Sequence, residues 1–209
     1  MVEKIPKRVF VTGGAGFIGS HICDRLVEMG IEVVCADNLI TGTTENISHL
    51  MEKENFQFIE CDITEIKSCM DAVEGCDAIN HQAALGSVPR SVADPLKTNL
   101  FNITGTLNIF HAAATKNIRR VVFASSSSVY GDAEGLPKVE SKIGAQLSPY
   151  AVSKRAGELY AAVFNEIHGI ETIGLRYFNI FGPRQTPEGV YAAVIPRFID
   201  NTLNGEKST

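Results

Sequence analysis

The chain has no tryptophan, no Cys-x-x-C pair, no basic run and no long uncharged apolar stretch, and each of these absences removes a class of function. Without about 18 consecutive apolar residues there is no candidate transmembrane helix. The opening MVEKIPKRVF puts charges where a signal peptide would carry its apolar region, so a cytoplasmic address and no membrane association are expected. The cysteines (Cys23, Cys35, Cys61, Cys69 and Cys76) are odd in number and lack metal-ligand spacing. They read as buried thiols, not as a disulfide framework or a zinc site. The five histidines (His21, His49, His81, His111 and His168) are equally scattered, so no metal is expected and no Ser-His-Asp arrangement emerges. A formal charge of −5 with no basic cluster argues against a nucleic-acid partner and against a polybasic membrane patch.

What is present is 209 residues, 44% of them hydrophobic, enough for one sizeable core or one domain with part of a second. Short β-branched runs such as RVFVT, IEVVCAD, FQFIECD, DAINHQAA, RRVVFASSSS and IETIGLRYF alternate with amphipathic stretches. The latter follow the first strand and recur near 44–53, 64–74, 96–116 and 149–168. Strands separated by helices of this length need right-handed crossovers, which predicts a doubly wound parallel sheet covered on both faces. In the first helix Ile18, Ile22, Leu26 and Met29 recur at three- to four-residue spacing and predict its core stripe, with Gly30 as terminator. The closing AAVIPRFIDNTLNGEKST begins a further helix and stops, so the chain is expected to be truncated. The expected division is a dinucleotide-binding domain over 1–178 and the beginning of a smaller substrate domain over 179–209.

The first strand runs into TGGAGFIG, with glycines at Gly13, Gly16 and Gly19. One glycine makes the tight turn, one lets backbone approach a pyrophosphate, and one lets helix pack on strand. Asp37 ends the second strand, where an acidic side chain accepts from adenosine ribose hydroxyls and repels a 2′-phosphate, favouring NAD over NADP.

A second constellation lies in SPYAVSK. Ser148 is a good N-cap and Pro149 a good first helical residue, so a helix is predicted from here to Gly169. Tyr150 and Lys154 are then an i,i+4 pair on one face, a phenol and an ammonium able to act together as a general acid/base. By itself the spacing also fits a half-buried tyrosine beside a solvated lysine. In SSSSVYGD, the hydroxyls of Ser125 to Ser128 fit a polar strand end bonding nearby backbone. Arg184 in GPRQ and Arg197 in IPRF fit either a diphosphate contact or the surface.

TGGAGFIG, SSSSVYGD, SPYAVSK and RYFNIFGPRQ together resemble the extended short-chain dehydrogenase/reductase family, the NAD-dependent epimerases and dehydratases. HQAALGSVPRS and YAAVIPRF resemble its UDP-N-acetylglucosamine 4-epimerase branch. The resemblance implies a Rossmann-type fold, NAD as cofactor, a UDP-sugar substrate and a homodimer. It assigns catalysis to Tyr150, Lys154 and Ser126, with Lys154 lowering the Tyr150 pKa and binding the nicotinamide ribose. Gly13, Gly16, Phe17, Ile18 and Gly19 would hold the pyrophosphate, Asp37 and Asn38 the ribose, and Asp62 and Ile63 the adenine. Gln82, Ala83, Ala84, Asn99 and Tyr177 would line the rest of the cofactor. Ser87, Ser126, Ser128, Tyr150, Asn179, Ala193 and Val194 would face the substrate. Related dehydratases and decarboxylases carry an acid one or two positions after the catalytic hydroxyl. Ser127 and Ser128 stand there instead, which points to C4 epimerisation through a 4-keto sugar. The alternatives are a UDP-glucuronate 4-epimerase, a 4,6-dehydratase or a non-catalytic NAD-sensing module.

Overall fold

The computed structural model describes residues 5–186 and 194–207. Its strands are β1 (Arg8–Thr12), β2 (Glu32–Asp37), β3 (Phe56–Glu60), β4 (Ala78–His81), β5 (Arg120–Ser126) and β6 (Glu171–Tyr177). They form one parallel sheet in the order β3-β2-β1-β4-β5-β6. The helices are α1 (Phe17–Glu28), α2 (Ile66–Ala72), α3 (Val88–Ala93), α4 (Pro95–Asn99), α5 (Gly105–Thr115), α6 (Pro149–His168) and α7 (Val194–Leu203). This is the doubly wound, Rossmann-type arrangement expected from the alternation.

Successive strand residues point to opposite faces, and here both faces are covered, so the central strands read as unbroken apolar runs. On β1, Val9 and Val11 join Val33, Cys35, Cys23 and Ile47 on the α1 side. Phe10 joins Val34, Ala36, Ile79 and Phe110 on the other. There Phe110 meets Phe123 edge-on at 5.6 Å and Phe164 at 5.6 Å. Each such fully buried side chain contributes roughly 1.5–3 kcal/mol.

Two helical expectations are corrected. On α1 the buried residues are Gly19, Ser20 and Cys23. Ile22 and Leu26 pack only at the margin, Met29 is exposed, and Ile18 lines a cleft. The helix lies so close to the sheet that only small side chains fit beneath it. The stretch near 96–116 is not one regular helix, because a π-helical turn over Leu100–Thr104 separates α4 from α5. The wider turn shifts the helical phase between them. Near 44–53 the chain forms a 3-10 helix, Thr44–Leu50. The α6 boundaries are as expected: Ser148 Oγ accepts from Ala151 N at 3.1 Å, and Gly169 closes the helix in the left-handed region at φ 64°.

The strand order reverses between β1 and β4, so the crevice at their carboxyl ends is the natural ligand site of such a sheet.

Candidate active site

The glycine loop after β1 forms one wall of that crevice. Gly13 has φ +66°, and a Cβ there would stand 2.7 Å from Ala83 N at the end of β4. A Cβ on Gly19 would stand 2.1 Å from Gly13 O, so α1 closes onto the loop only because that residue has no side chain. Gly16 is the N-cap of α1 and offers no side-chain cap, and no acidic residue occupies the first turn. The first-turn amides and the positive end of the helix dipole therefore remain for an anion.

Asp37 sits at the far end of this wall, buried, with Oδ2 accepting from Ala15 N at 3.1 Å and Oδ1 from Leu39 N at 2.9 Å. Burial raises its pKa, and those amide hydrogen bonds oppose the rise. Each oxygen keeps a second acceptor site. The structure brings Gly13, Gly16, Phe17, Ile18, Gly19, Asp37, Asn38, Ile63, Gln82, Ala83 and Ala84 together along one cleft. Cys61, Leu85 and Phe101 line it too, and no motif had marked them.

Two expected cofactor residues stand elsewhere. Asn99 is exposed at the end of α4, because the π-helical turn that follows brings Phe101 to the cleft instead. From that turn Asn102 accepts from Leu85 N at 2.8 Å and donates to Ser153 Oγ at 3.1 Å, fastening the β4 loop to α6. Asp62 turns its carboxylate onto Thr64, accepting from N and from Oγ1 at 2.8 Å each, and leaves Ile63 and Cys61 on the cleft surface.

The cleft continues past Gln82 into a second space. Ser87, Ser126, Ser127, Ser128, Tyr150, Lys154, Tyr177, Asn179, Gln185 and Val194 line it. Ala193, also expected there, lies outside the described residues. Among the described lining residues none is a carboxylate. Ser87 holds the left-handed φ of 103°, uncommon for a residue with a Cβ, while its side chain caps α3 by accepting from Arg90 N at 3.3 Å.

Tyr150 and Ser126 share the wall of this space, and Ser126 Oγ donates to Ser128 Oγ and accepts from Ser128 N, both at 3.1 Å. Lys154 is half-buried and donates to Ala124 O at 2.9 Å, with Nζ 5.9 Å from the Tyr150 ring centroid. Burial pulls the Lys154 pKa down to about 8. Burial also raises that of Tyr150, and the neighbouring Ser126 hydroxyl opposes the rise. The expected lowering of the Tyr150 pKa by Lys154 is thus not the net result here. The ammonium donates to a strand carbonyl and stands over the Tyr150 ring.

Gln82 joins the two spaces. Its Nε2 donates to Asn80 Oδ1 at 2.6 Å, and its buried Oε1 has no partner, as is also true of Gln185 Oε1. Buried polar atoms are ordinarily paired. Two orphaned amide oxygens in one cleft are what a polar ligand would satisfy.

The remaining residues of the sequence reading have structural tasks. Arg184 pairs with Asp24 of α1 at 2.7 Å, so it does not point toward a diphosphate, and Arg197 lies exposed on α7. His81 is buried, with Nδ1 2.6 Å from Thr12 Oγ1 and Nε2 3.0 Å from Thr106 Oγ1. All five cysteines are free and buried. No metal-binding cluster exists among the described residues, and no described helix is long and apolar enough to cross a membrane.

Known proteins resemble this chain over most of its length. The sequence model of the NAD dependent epimerase/dehydratase family matches residues 9–209. A solved UDP-N-acetylglucosamine 4-epimerase from Methanobrevibacter ruminantium M1, in complex with UDP-N-acetylmuramic acid, is 45% identical and superposes with a TM-score of 0.92, covering 98% of this chain and 65% of that one. A putative UDP-glucose 4-epimerase of Methanocaldococcus jannaschii is 41% identical over 95% of this chain and 64% of its own. UDP-glucuronic acid decarboxylase 1 of Xenopus tropicalis is 37% identical over 99% of this chain and 48% of its own. The chain therefore spans less than two thirds of the length of each.

Proposed function

Because the chain belongs to the NAD dependent epimerase/dehydratase family, we propose that it carries the cofactor domain and catalytic residues of a UDP-sugar 4-epimerase. UDP-N-acetylglucosamine and its galacto epimer are the first substrates, UDP-glucose the next. The observation that carries this reading is that Tyr150, Lys154 and Ser126 share the wall of a space with no described carboxylate, directly adjoining the glycine-loop cleft.

NAD suits the cleft. The amides at the start of α1 would hold the pyrophosphate, Asp37 and Asn38 the adenosine ribose, and Lys154 the second ribose, with Gln82 and Tyr177 beside the nicotinamide. When bound, NAD supplies the acceptor, and then the donor, of the hydride at sugar C4. Tyr150 Oη takes the proton of the C4 hydroxyl and later returns it, while Ser126 Oγ bonds the same sugar oxygen. Holding both groups on one oxygen converts a chance encounter into an oriented one. Asn179 and Val194 face the substrate from the segment beyond β6, consistent with a substrate domain over 179–209.

Elimination of water or carbon dioxide from a 4-keto sugar is served by a nearby carboxyl group. Ser127 and Ser128 offer hydroxyls only, and a serine hydroxyl is a poor proton donor at neutral pH. This favours epimerisation over the chemistry of the decarboxylase relative. The homologous 4-epimerase holding an N-acetylated UDP-sugar supports the order of substrates.

The protein further reads as a cytoplasmic homodimer without a nucleic-acid partner. Val152, Leu159, Val163 and Ile167 form an exposed apolar stripe on α6, and Val92, Leu96 and Leu100 continue it beside that helix. A second copy would bury this face.

The test is proton NMR of UDP-N-acetylglucosamine incubated with NAD and the full-length gene product. A second anomeric signal with C6 intact is the expected result. A C6 methyl doublet, or release of carbon dioxide from UDP-glucuronate as the main reaction, overturns the proposal.

A further inference from the structure

Asp24 of α1 takes one partner on each carboxylate oxygen, and the acid/base chemistry uses neither. Oδ2 accepts from Arg184 Nη2 at 2.7 Å, and Oδ1 stands 2.7 Å from His49 Nε2. Phe17, His21 and Asp24 are spaced i, i+4 and i+7, which puts them on one face of the helix. Three consecutive residues beyond β6 lie against that face in order. A Cβ on Gly182 would touch the Phe17 ring at 3.6 Å, Pro183 O accepts from His21 Nε2 at 3.0 Å, and Arg184 meets Asp24. Phe17 and His21 pack edge-on against each other at 5.8 Å. Arg184 holds a left-handed φ of 65°, uncommon for a residue with a Cβ and kept where the surroundings over-determine it.

We propose that Asp24 is a positioning residue for the substrate: it fastens residues 178–185 onto α1 as a strap, so that the substrate wall is built on the same helix whose first turn faces the cofactor cleft. The strap carries Asn179 and Gln185 along the substrate space, one on each side of the anchored residues. Phe17, in contact with Gly182, lines both that space and the glycine-loop cleft. Within the strap Gln185 N donates to Gly182 O and Gln185 Nε2 to Ile180 O, each at 3.3 Å, so Gln185 follows the anchored turn. The carboxylate is held from the glycine-loop side as well. His49 belongs to the 3-10 helix Thr44–Leu50, from which Asn46 Nδ2 donates to Ala15 O at 2.8 Å.

The ion pair is the part of the strap that one substitution releases. The Asp24 and Arg184 side chains are only 20% and 25% exposed, and Arg184 Nη1 is buried with no partner among the described residues. The guanidinium therefore leans on Asp24, and removing one member of such a pair leaves the other charge poorly solvated. Lifting the strap returns that charge to water. Tyr150 and Lys154 are carried by α6 and Ser126 by β5, so the reacting groups keep their places when the strap lifts. Contacts made equally to bound substrate and transition state change KM and spare kcat. Asp24 thus acts through Asn179 and Gln185, on binding.

That the strap serves a substrate rests on the reading of the second space as a UDP-sugar site; the fastening itself does not, and two measurements on the full-length protein separate them. The first is native-state digestion with trypsin, which must take the Arg184 side chain into its own acidic pocket to cleave the Arg184–Gln185 bond. Asp24→Asn should speed that cleavage about tenfold, as a larger open population does, while His49→Gln, which leaves the ion pair in place, stays within about twofold of wild type. Equal rates in wild type and Asp24→Asn, equal acceleration by His49→Gln, or a parallel rise in cleavage after Arg120 within β5 overturns the strap. The second is steady-state kinetics with UDP-N-acetylglucosamine. Asp24→Asn and Arg184→Gln should each raise KM about tenfold with kcat and NAD affinity within about twofold, and the double variant should be no worse than either, as one shared interaction requires. A fall in kcat at unchanged KM, or losses that add in the double variant, overturns the positioning role. Failure of the wild type to turn over any UDP-sugar counts against the proposed function and with it the substrate role, while the digestion still decides the fastening.

Discussion

Glu158 Oε1 accepts a 2.6 Å hydrogen bond from Ser125 Oγ, one residue before Ser126. One helical turn earlier Lys154 Nζ holds Ala124 O at 2.9 Å, and one turn before that Tyr150 borders the same space as Ser126. Two consecutive residues of β5 are thus gripped by side chains spaced i,i+4 on α6, with Tyr150 four residues nearer its start. Glu158 is anchored in turn by Arg176 at 2.8 Å and Arg155 at 2.8 Å, while the Arg176 guanidinium lies 4.8 Å from the Tyr130 ring centroid. The relation between Ser126 and Tyr150 is therefore set by a brace behind them.

Glu158→Ala should lower kcat about tenfold while leaving NAD affinity within about twofold, since a displacement near 1 Å at reacting groups can cost two orders of magnitude. Removing one partner of a largely buried ion pair should also cost about 3 kcal/mol of stability, and Glu158→Gln, which keeps an acceptor for Ser125, should fall between. Steady-state kinetics and thermal unfolding of the full-length protein check both. An unchanged kcat in folded Glu158→Ala would remove the brace from the proposed mechanism.

Tyr150→Phe should reduce turnover at least about 100-fold with cofactor binding nearly intact, the loss general acid/base participation commonly represents. Lys154→Ala should harm both, because its ammonium sits at the junction of the two spaces. Near-normal turnover in the phenylalanine variant would leave Tyr150 as a packing residue.

NAD should bind more tightly than NADP, by about tenfold or more for a difference of about 1.4 kcal/mol, because the Asp37 carboxylate would face the 2′-phosphate. Asp37→Asn should narrow the gap. Titration of both cofactors by fluorescence decides it, and tighter binding of NADP would sink the assignment.

His81 makes stability fall on acidification. Burial, with the nearby Lys154 charge, lowers its folded-state pKa to about 3, against an unfolded value near 6.5. Between these values the unfolded chain takes up a proton that the folded one refuses. The contribution is whole above the unfolded pKa and declines by up to about 1.4 kcal/mol per pH unit as pH falls toward 3. Carboxylates titrate in the same range, so the comparison is with His81→Gln, which should be less stable at pH 7.5 but lose less between pH 6.5 and 4.5 in denaturant titrations. Parallel loss in the two proteins would show that His81 does not carry the acid sensitivity.

Much of this molecule is local and could be read without coordinates. The alternation of β-branched runs with helices dictates a parallel sheet, Ser148 and Gly169 bound α6, and the glycine spacing places an uncapped helix start after β1, because caps and turns depend on neighbours in sequence. The i,i+4 geometry alone puts Tyr150 and Lys154 on one face. What depends on distance in space escaped that reading. The π-helical turn leaves Asn99 on the outer surface and brings Phe101 to the cleft because packing of α5 on the sheet, not propensity, sets its phase. Arg184 is bound to Asp24 from the other end of the chain. Burial, absent from any sequence pattern, raises the Tyr150 pKa and directs Lys154 to a strand carbonyl. Glu158 and Arg176 look like two solvated charges in sequence. Only the fold, by packing α6 against β6, makes them a pair, because an ion pair between side chains on different elements exists only once those elements are packed.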